Sequence, residues 1–309
     1  MKNVRLSRLV YGLATFIPGV YHRFSMPRLS VAEMALDGYS KWLHHLAAVM
    51  ETNAGFPQVV AEIGPGPGLA AGLAALVSGC KTYYALDVVA HTDRAILLPV
   101  FDEICRLFTI KADLRAWHAI MPACAFPSSI ITDERLHELL ATDRLAGLRR
   151  ELETEKQDGA LQLEIPWHCE GIVKKGSLDL VFSTAALEHI DDLQTAYRAM
   201  NEWLRPGGLV SHVIDYGCHG VCQEWNGHWA CSATLWRILR GNRPYFINRQ
   251  PHSVHLALLT TNGFNLLADK RISQPSRFVR NDLAPKFRDL LTDQDLRTNF
   301  SFIQARKGD

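Results

Sequence analysis

Residues 58–88 read QVVAEIGPGPGLAAGLAALVSGCKTYYALDV, and the reading of this stretch decides the fold. Val59-Val60-Ala61 is a continuous apolar run, as expected of a strand covered on both faces. Gly64, Gly66 and Gly68 form a turn without Cβ atoms, against which a ligand can lie on bare backbone. Leu69 to Ser78 is rich in Ala and Leu and predicts a helix, with Gly79 as its C-terminal cap. The start of that helix turns free N–H groups and the positive end of its dipole toward the turn. Tyr83 to Leu86 predicts a second strand with Asp87 at its tip, about 20 residues past the turn, where a carboxylate can accept both hydroxyls of a ribose. Strand, bare turn, helix and strand make half of a parallel α/β sheet of the nucleotide-binding kind.

The spacing narrows the ligand. The glycines make G-x-G-x-G, not the G-x-G-x-x-G of nicotinamide and flavin sites. Pro65 and Pro67 stiffen the turn. Glu62, ahead of the first glycine, suits a cationic amino-acid tail and not a pyrophosphate. Together these residues resemble the first motif of class I S-adenosylmethionine-dependent methyltransferases. The resemblance implies S-adenosylmethionine as cofactor, with Glu62 facing the methionine amine, Gly64, Pro65, Gly66 and Gly68 along the chain, and Asp87 and Val88 at the ribose. It further implies Trp167 beside the adenine, unless it is a half-buried Trp packed at the strand end, and Ser183 and Thr184 nearby.

The chain has 309 residues, 48% hydrophobic and 21% charged, which predicts a well-packed globule with additions to one core. A net charge of +1 lacks the electrostatic footprint of a nucleic-acid binder. Seven cysteines, an odd number, suggest no disulfide framework and a reducing, cytoplasmic compartment. No apolar run approaches the roughly 20 residues of a membrane span. Lys2, Arg5 and Arg8 followed by the apolar run 9–17 have the charge order of a signal peptide. Pro18 interrupts that run and no small-residue cleavage site follows, so an amphipathic helix docked on the protein is expected.

Residues 1–57 are expected to form an N-terminal helical lid, and 58–309 the main domain. Tyr39, Trp42, Leu43 and Leu46 share one helical face, which fits either packing on the sheet or a cover over the ligand; Tyr39 and His45 are expected to face the substrate. Residues 92–158 predict a helical insertion leaning over the site's mouth. Leu161 to Trp167 is the expected third strand and Ser177 to Thr184 the fourth. Leu187-Glu188-His189 then turns into an acidic helix start at Asp191-Asp192. That helix stops at Arg205-Pro206-Gly207-Gly208, and a fifth strand, Leu209 to Ile214, closes on Asp215. Phe264 to Ala268 and Phe300 to Gln304, with a helix around 281–292 between them, are expected to complete a seven-stranded sheet as an antiparallel pair.

Further stretches resemble a bacterial methyltransferase family associated with sugar and polysaccharide biosynthesis. They are Ser40 to Leu46, the glycine turn with Gly72 to Gly79, the L-E-H turn, Ser211 to Asp215, Asn248-Arg249 and Asn262-Gly263-Phe264. The resemblance implies a small-molecule acceptor, a sugar intermediate or specialised metabolite, methylated on oxygen or nitrogen. Pro67-Gly68 and residues 217–231 depart from its pattern. An oligomer is compatible with it.

Methyl transfer is an in-line displacement whose leaving group is already good, so the protein must position the nucleophile and deal with its proton. Glu188, His189, His212, Asp215 and His219 fall at the expected sheet edge. His219 is the preferred base, Asp215 its orienter or an acceptor ligand, and His189 a further catalytic candidate, with a surface or structural role as the bland alternative for each histidine. Segment 217–260 is expected to face the acceptor, Trp225 forming part of its wall. Cys218, His219, Cys222, His228 and Cys231 match no standard zinc spacing, and no metal is assigned. Two rival readings stay open: an aminopropyl-type transferase on the same fold, against which 217–260 carries only Glu224 as an acid, and a non-catalytic partner subunit that binds the cofactor.

Overall fold

The computed structural model describes residues 4–17, 29–89, 94–154, 159–167, 171–243 and 245–308. Seven strands form one sheet: β1 (Val59–Ile63), β2 (Thr82–Leu86), β3 (Leu161–Glu164), β4 (Leu178–Thr184), β5 (Leu204–Asp215), β6 (Phe264–Ser273) and β7 (Thr298–Lys307). Their order is β3-β2-β1-β4-β5-β7-β6. The first five run parallel, and β7 pairs antiparallel with both β5 and β6. The order reverses between β1 and β4, which opens a crevice at the C-terminal ends of those strands. This is the Rossmann-like seven-stranded class I methyltransferase sheet expected from the sequence. β5 starts earlier than expected, at Leu204, because the chain turns at Gly207 (φ 73°) while still pairing with β4.

The helices are α1 (Leu6–Ala14), α2 (Val31–Met50), α3 (Ala70–Val77), α4 (Arg94–Thr109), α5 (Asp133–Leu139), α6 (Thr142–Thr154), α7 (Leu193–Trp203), α8 (Ala233–Arg240), α9 (His252–Thr261) and α10 (Pro285–Leu290). α2 starts at a capping box in which Ser30 and Glu33 satisfy each other's backbone N–H groups. Its apolar stripe Tyr39, Trp42, Leu43 and Leu46 is wholly buried, with Trp42 donating its indole N–H to Ser78 Oγ at 2.8 Å. α2 is thus a core layer over the sheet, not a lid. α1 packs instead on segment 217–260: Gly12 lies against the carbonyls of Ile238 and Leu239, and Val4 bridges to Cys222.

The insertion also sits elsewhere than expected. Arg144 donates to the carbonyls of Leu76 and Val77, the last turn of α3, and so ties α6 to the edge where the parallel strands begin. A cavity of about 1000 Å³ lies there between Gln58, Lys81 and Thr82 on one side and Arg135, Arg144 and Glu151 on the other. The loop after α4 crosses toward the mouth, where Trp117 and His118 pack on Phe300 and Met121 lies against Val213.

Candidate functional site

The glycine turn follows directly from β1. Gly64 and Gly66 have φ of 73° and 71°, conformations that side chains resist. A Cβ on Gly64 would stand 2.6 Å from that of Ala186, whereas one on Gly66 would project into open space. The first glycine therefore lets the turn close on the chain after β4, and the second keeps a cradle clear. Gly68 faces the other way, toward Met34 and Val100, and serves packing. Leu69 (φ 49°) starts α3 one residue later than expected, its N-terminus at the turn.

Glu62 stands beneath the turn, 5% exposed. The Tyr83 hydroxyl donates to its Oε2 at 2.8 Å. Burial pushes the Glu62 carboxyl up to about 7, against the pull of Tyr83 and Lys41. Tyr83 reaches it by lying flat on α3, where a Cβ at Gly72 would come within 1.8 Å of the ring. Asp87 ends β2, and its Oδ1 accepts the backbone N–H groups of Val88 and Val89 at 2.7 and 3.2 Å. Val88 is 44% exposed beside it. Pro65 is partly exposed within the turn. An open cradle, a buried carboxylate beneath it and an acid at the next strand tip fit a nucleoside with a cationic amino-acid tail.

Four expected site residues do something else with their side chains. Trp167 is tied to Asp87 through its backbone N–H at 2.8 Å, but its ring packs edge-to-face on Trp203 of α7. Ser183 is fully buried, its Oγ bonded to His212 Nδ1 at 2.8 Å. His45 is also fully buried and shares hydrogen bonds with Ser211 Oγ at 2.7 Å and Thr184 Oγ1 at 3.1 Å. Tyr39 donates its hydroxyl to the Ala112 carbonyl at 3.0 Å and packs on Phe108. Tyr39 and His45 are core residues, which corrects their placement at the substrate. Burial pushes the His45 imidazole down to about 3, so it serves as a neutral hydrogen-bonding strut.

Across the crevice, the turn after β4 and the loop after β5 make a second group. Ala185 (φ 54°) and His219 (φ 48°) both hold left-handed backbone, a strain that clusters at sites. Leu187–His189 is one 3-10 turn. It is clamped by Asn248, whose side-chain amide donates to Leu187 O and Ile190 O at 2.8 Å and whose backbone N–H donates to Glu188 O at 2.6 Å. His219 Nε2 lies 3.1 Å from Asp215 Oδ2 and 3.9 Å from Glu188 Oε1. Asp215 Oδ1 accepts the Gly217 N–H at 2.6 Å, which orients the carboxylate. Burial opposes charge on His219, but the Asp215 hydrogen bond and the carboxylates beside it prevail and raise its proton affinity. Burial pushes His189 down to about 4 and Glu188 up to about 8. The structure brings His219, Asp215 and His189 together, with Glu188 beside them.

The cysteine–histidine cluster does not converge. Cys222 and Cys231 lie 3.9 Å apart, Sγ to Sγ, but His228 stacks on Trp229 and His219 turns to Asp215. Among the described residues, the side chains whose ligand atoms gather within 4.8 Å are Glu188, His189 and His219. Trp225 donates its indole N–H to the Pro275 carbonyl at 2.9 Å and lines a cleft of about 480 Å³ with Arg5, Cys218 and Arg277. Asn248 and Arg249 had no assigned role. Arg249 binds the carbonyls of His228 and Cys231 and lies over Trp236 and Phe287, so it holds segment 228–236 in place.

A family model described as a methyltransferase domain matches residues 129–211, which takes in β3, β4, α7 and most of β5 but leaves out the glycine turn and Asp87. None of the curated proteins matches the chain. Solved structures similar to it include an S-adenosylmethionine-dependent methyltransferase from Mesorhizobium loti, at 14% identity and TM-score 0.41 over 88% of this chain and 100% of that one. Phosphoethanolamine N-methyltransferase 2 of Haemonchus contortus, in complex with S-adenosyl-L-methionine, matches at 13% and 0.45 over 93% of this chain and 62% of that one. A putative sarcosine dimethylglycine methyltransferase from Galdieria sulphuraria matches at 14% and 0.43, over 87% and 85%. Residues 129–211 match a methyltransferase domain, and the sheet has the strand order of the class I S-adenosylmethionine-dependent methyltransferase fold. The glycine turn, Glu62 and Asp87 fit S-adenosylmethionine as the cofactor.

Proposed function

We propose that the chain methylates an oxygen or nitrogen atom of a small molecule, a sugar intermediate or specialised metabolite, in the cytoplasm. The observation that carries this reading is the adjacency of two groups. The turn at Gly64 touches Ala186, and two residues further on begins the corner of Glu188, His189, Asp215 and His219. The six cysteines described are free, as suits a reducing compartment.

When bound, the cofactor supplies an electrophilic methyl group on a sulfonium that leaves as a neutral thioether. Glu62 holds the methionine amine from beneath the turn. Asp87 holds the ribose, and Gly66 leaves room for the chain between them. Asp215, His219 and His189 line the place where the acceptor's nucleophilic atom is held and gives up its proton. Trp225 belongs to the cleft beside it. An aminopropyl transferase would want an acidic pocket, and Glu224, the one acid of segment 217–260, lies 3.1 Å from Arg277.

The test is turnover of labelled S-adenosylmethionine against a panel of nucleotide sugars, free sugars and phenols. His219→Ala should keep cofactor affinity by calorimetry and lose on the order of 10²–10⁴ in turnover. Unchanged turnover would place the acceptor elsewhere, and cofactor binding with no transfer to any acceptor would favour a partner subunit.

A further inference from the structure

The corner beside the glycine turn contains more unsatisfied polarity than a protein interior tolerates. Glu188 is 4% exposed, and among the described residues neither of its carboxyl oxygens has a hydrogen-bond partner, His219 Nε2 standing 3.9 Å from Oε1. Nδ1 of the neighbouring His189 is buried and also without a partner. Buried polar groups left in this state cost on the order of 1–3 kcal/mol each, more when charged. Protonation would remove the charge of Glu188 but would leave two carboxyl oxygens to be satisfied. Nor does it help His189.

We propose that Glu188, His189 and His219 bind a divalent transition-metal cation. Their ligand atoms lie within 4.8 Å of one another. In a tetrahedral site such atoms stand roughly 3.4 Å apart, so small side-chain rotations close the gap. Asp215 Oδ2, 3.1 Å from His219 Nε2, stands ready as a fourth ligand. The frame is rigid where a metal site needs it to be. Asn248 fixes the 187–190 turn by three hydrogen bonds, and His219 is held in left-handed backbone. The His219 side chain is 30% exposed, which gives an ion a way in and leaves a coordination position facing the crevice.

Two imidazoles with carboxylate select Zn²⁺, Mn²⁺, Fe²⁺ or Co²⁺ over the hard cations Mg²⁺ and Ca²⁺. The role of the ion rests on the methyl-transfer reading above. An acceptor oxygen bound at the open position loses its proton more readily, and is held beside the methyl donor. The acceptor class this favours carries a hydroxyl beside a second oxygen, as in a vicinal diol, a catechol or a hydroxy acid, which can chelate.

The test uses the full chain stripped with EDTA and titrated with Co²⁺, read by visible absorption and by metal analysis. One equivalent should bind. Glu188→Gln and His219→Asn should each weaken binding at least tenfold, with the fold checked by circular dichroism. The double variant Cys222→Ser/Cys231→Ser should still bind one equivalent. Absence of binding at about 0.1 mM Co²⁺ overturns the proposal. So does binding that survives both Glu188→Gln and His219→Asn, or binding lost in the cysteine variant. Should Glu188→Gln fail to fold, His219→Asn decides alone. Cofactor affinity of the stripped protein is measured separately, so failure of the methyltransferase reading is seen independently of the metal.

Discussion

The Tyr83 hydroxyl and the Glu62 carboxylate, 2.8 Å apart, join β2 to β1 directly beneath the glycine turn. The bond favours the ionised form of a carboxyl that burial holds at about 7. The carboxylate form is the one that can hold an ammonium.

Cofactor affinity should therefore rise between about pH 6 and pH 8 as Glu62 ionises. The ligand-free protein should behave in the opposite sense. Its Glu62 proton affinity is raised by folding, so the stability this group contributes is complete below about pH 4.5 and is lost as pH climbs through about 7. Glu62→Gln should flatten both dependences and weaken cofactor binding at least tenfold. Tyr83→Phe should shift the affinity curve to higher pH. Calorimetry and melting temperature across that range measure them; an unchanged curve in Glu62→Gln rejects the assignment.

Asp87→Ala should abolish tight cofactor binding, a loss of roughly 1.5–3 kcal/mol for hydrogen bonds to a charged group. The fold should survive, since the Oδ1 bonds it removes cap the neighbouring backbone of Val88 and Val89. Calorimetry with the demethylated cofactor reads the first and circular dichroism the second.

Gly66→Ala and Gly72→Ala should fail differently. The Gly66 Cβ meets no protein atom, so the variant carries about 1–2 kcal/mol of backbone strain and an obstructed cradle. It should stay folded and lose cofactor affinity. Gly72→Ala, a change that ordinarily strengthens a helix, drives its Cβ into the Tyr83 ring and should lower stability by about 1–3 kcal/mol. Thermal melts with and without cofactor separate the two.

Asn248→Ala leaves the carbonyls of Leu187 and Ile190 without its side-chain amide. Stability should fall by about 1–3 kcal/mol, and turnover should fall with cofactor affinity retained, because Glu188 and His189 are no longer held. Equal loss of both functions would mean that the turn supports the cofactor and not the acceptor.

Much of the candidate site was legible in the chain. Glu62, Gly64, Gly66 and Asp87 announce themselves by spacing, and Glu188, His189, Asp215 and His219 by following two predicted strands. Residues on the α2 face were less so. Tyr39 and His45 look the same in sequence whether they face a ligand or a neighbour, and the neighbours, Phe108, Ala112, Thr184 and Ser211, come from far along the chain. Asn248 gave no sign of its clamp, since its partners lie about 60 residues earlier.

The sequence by itself determined the seven strands, the bare turn and the acids at the tips of β2 and β5, because apolar runs, glycine conformations and helix stops are local properties. Tertiary structure alone decided that α2 is core, that α5 and α6 cover the far edge of the sheet, and that the Glu188 carboxyl lies buried beside His219. Burial and hydrogen-bond satisfaction depend on which distant segments meet, and no local pattern encodes that meeting.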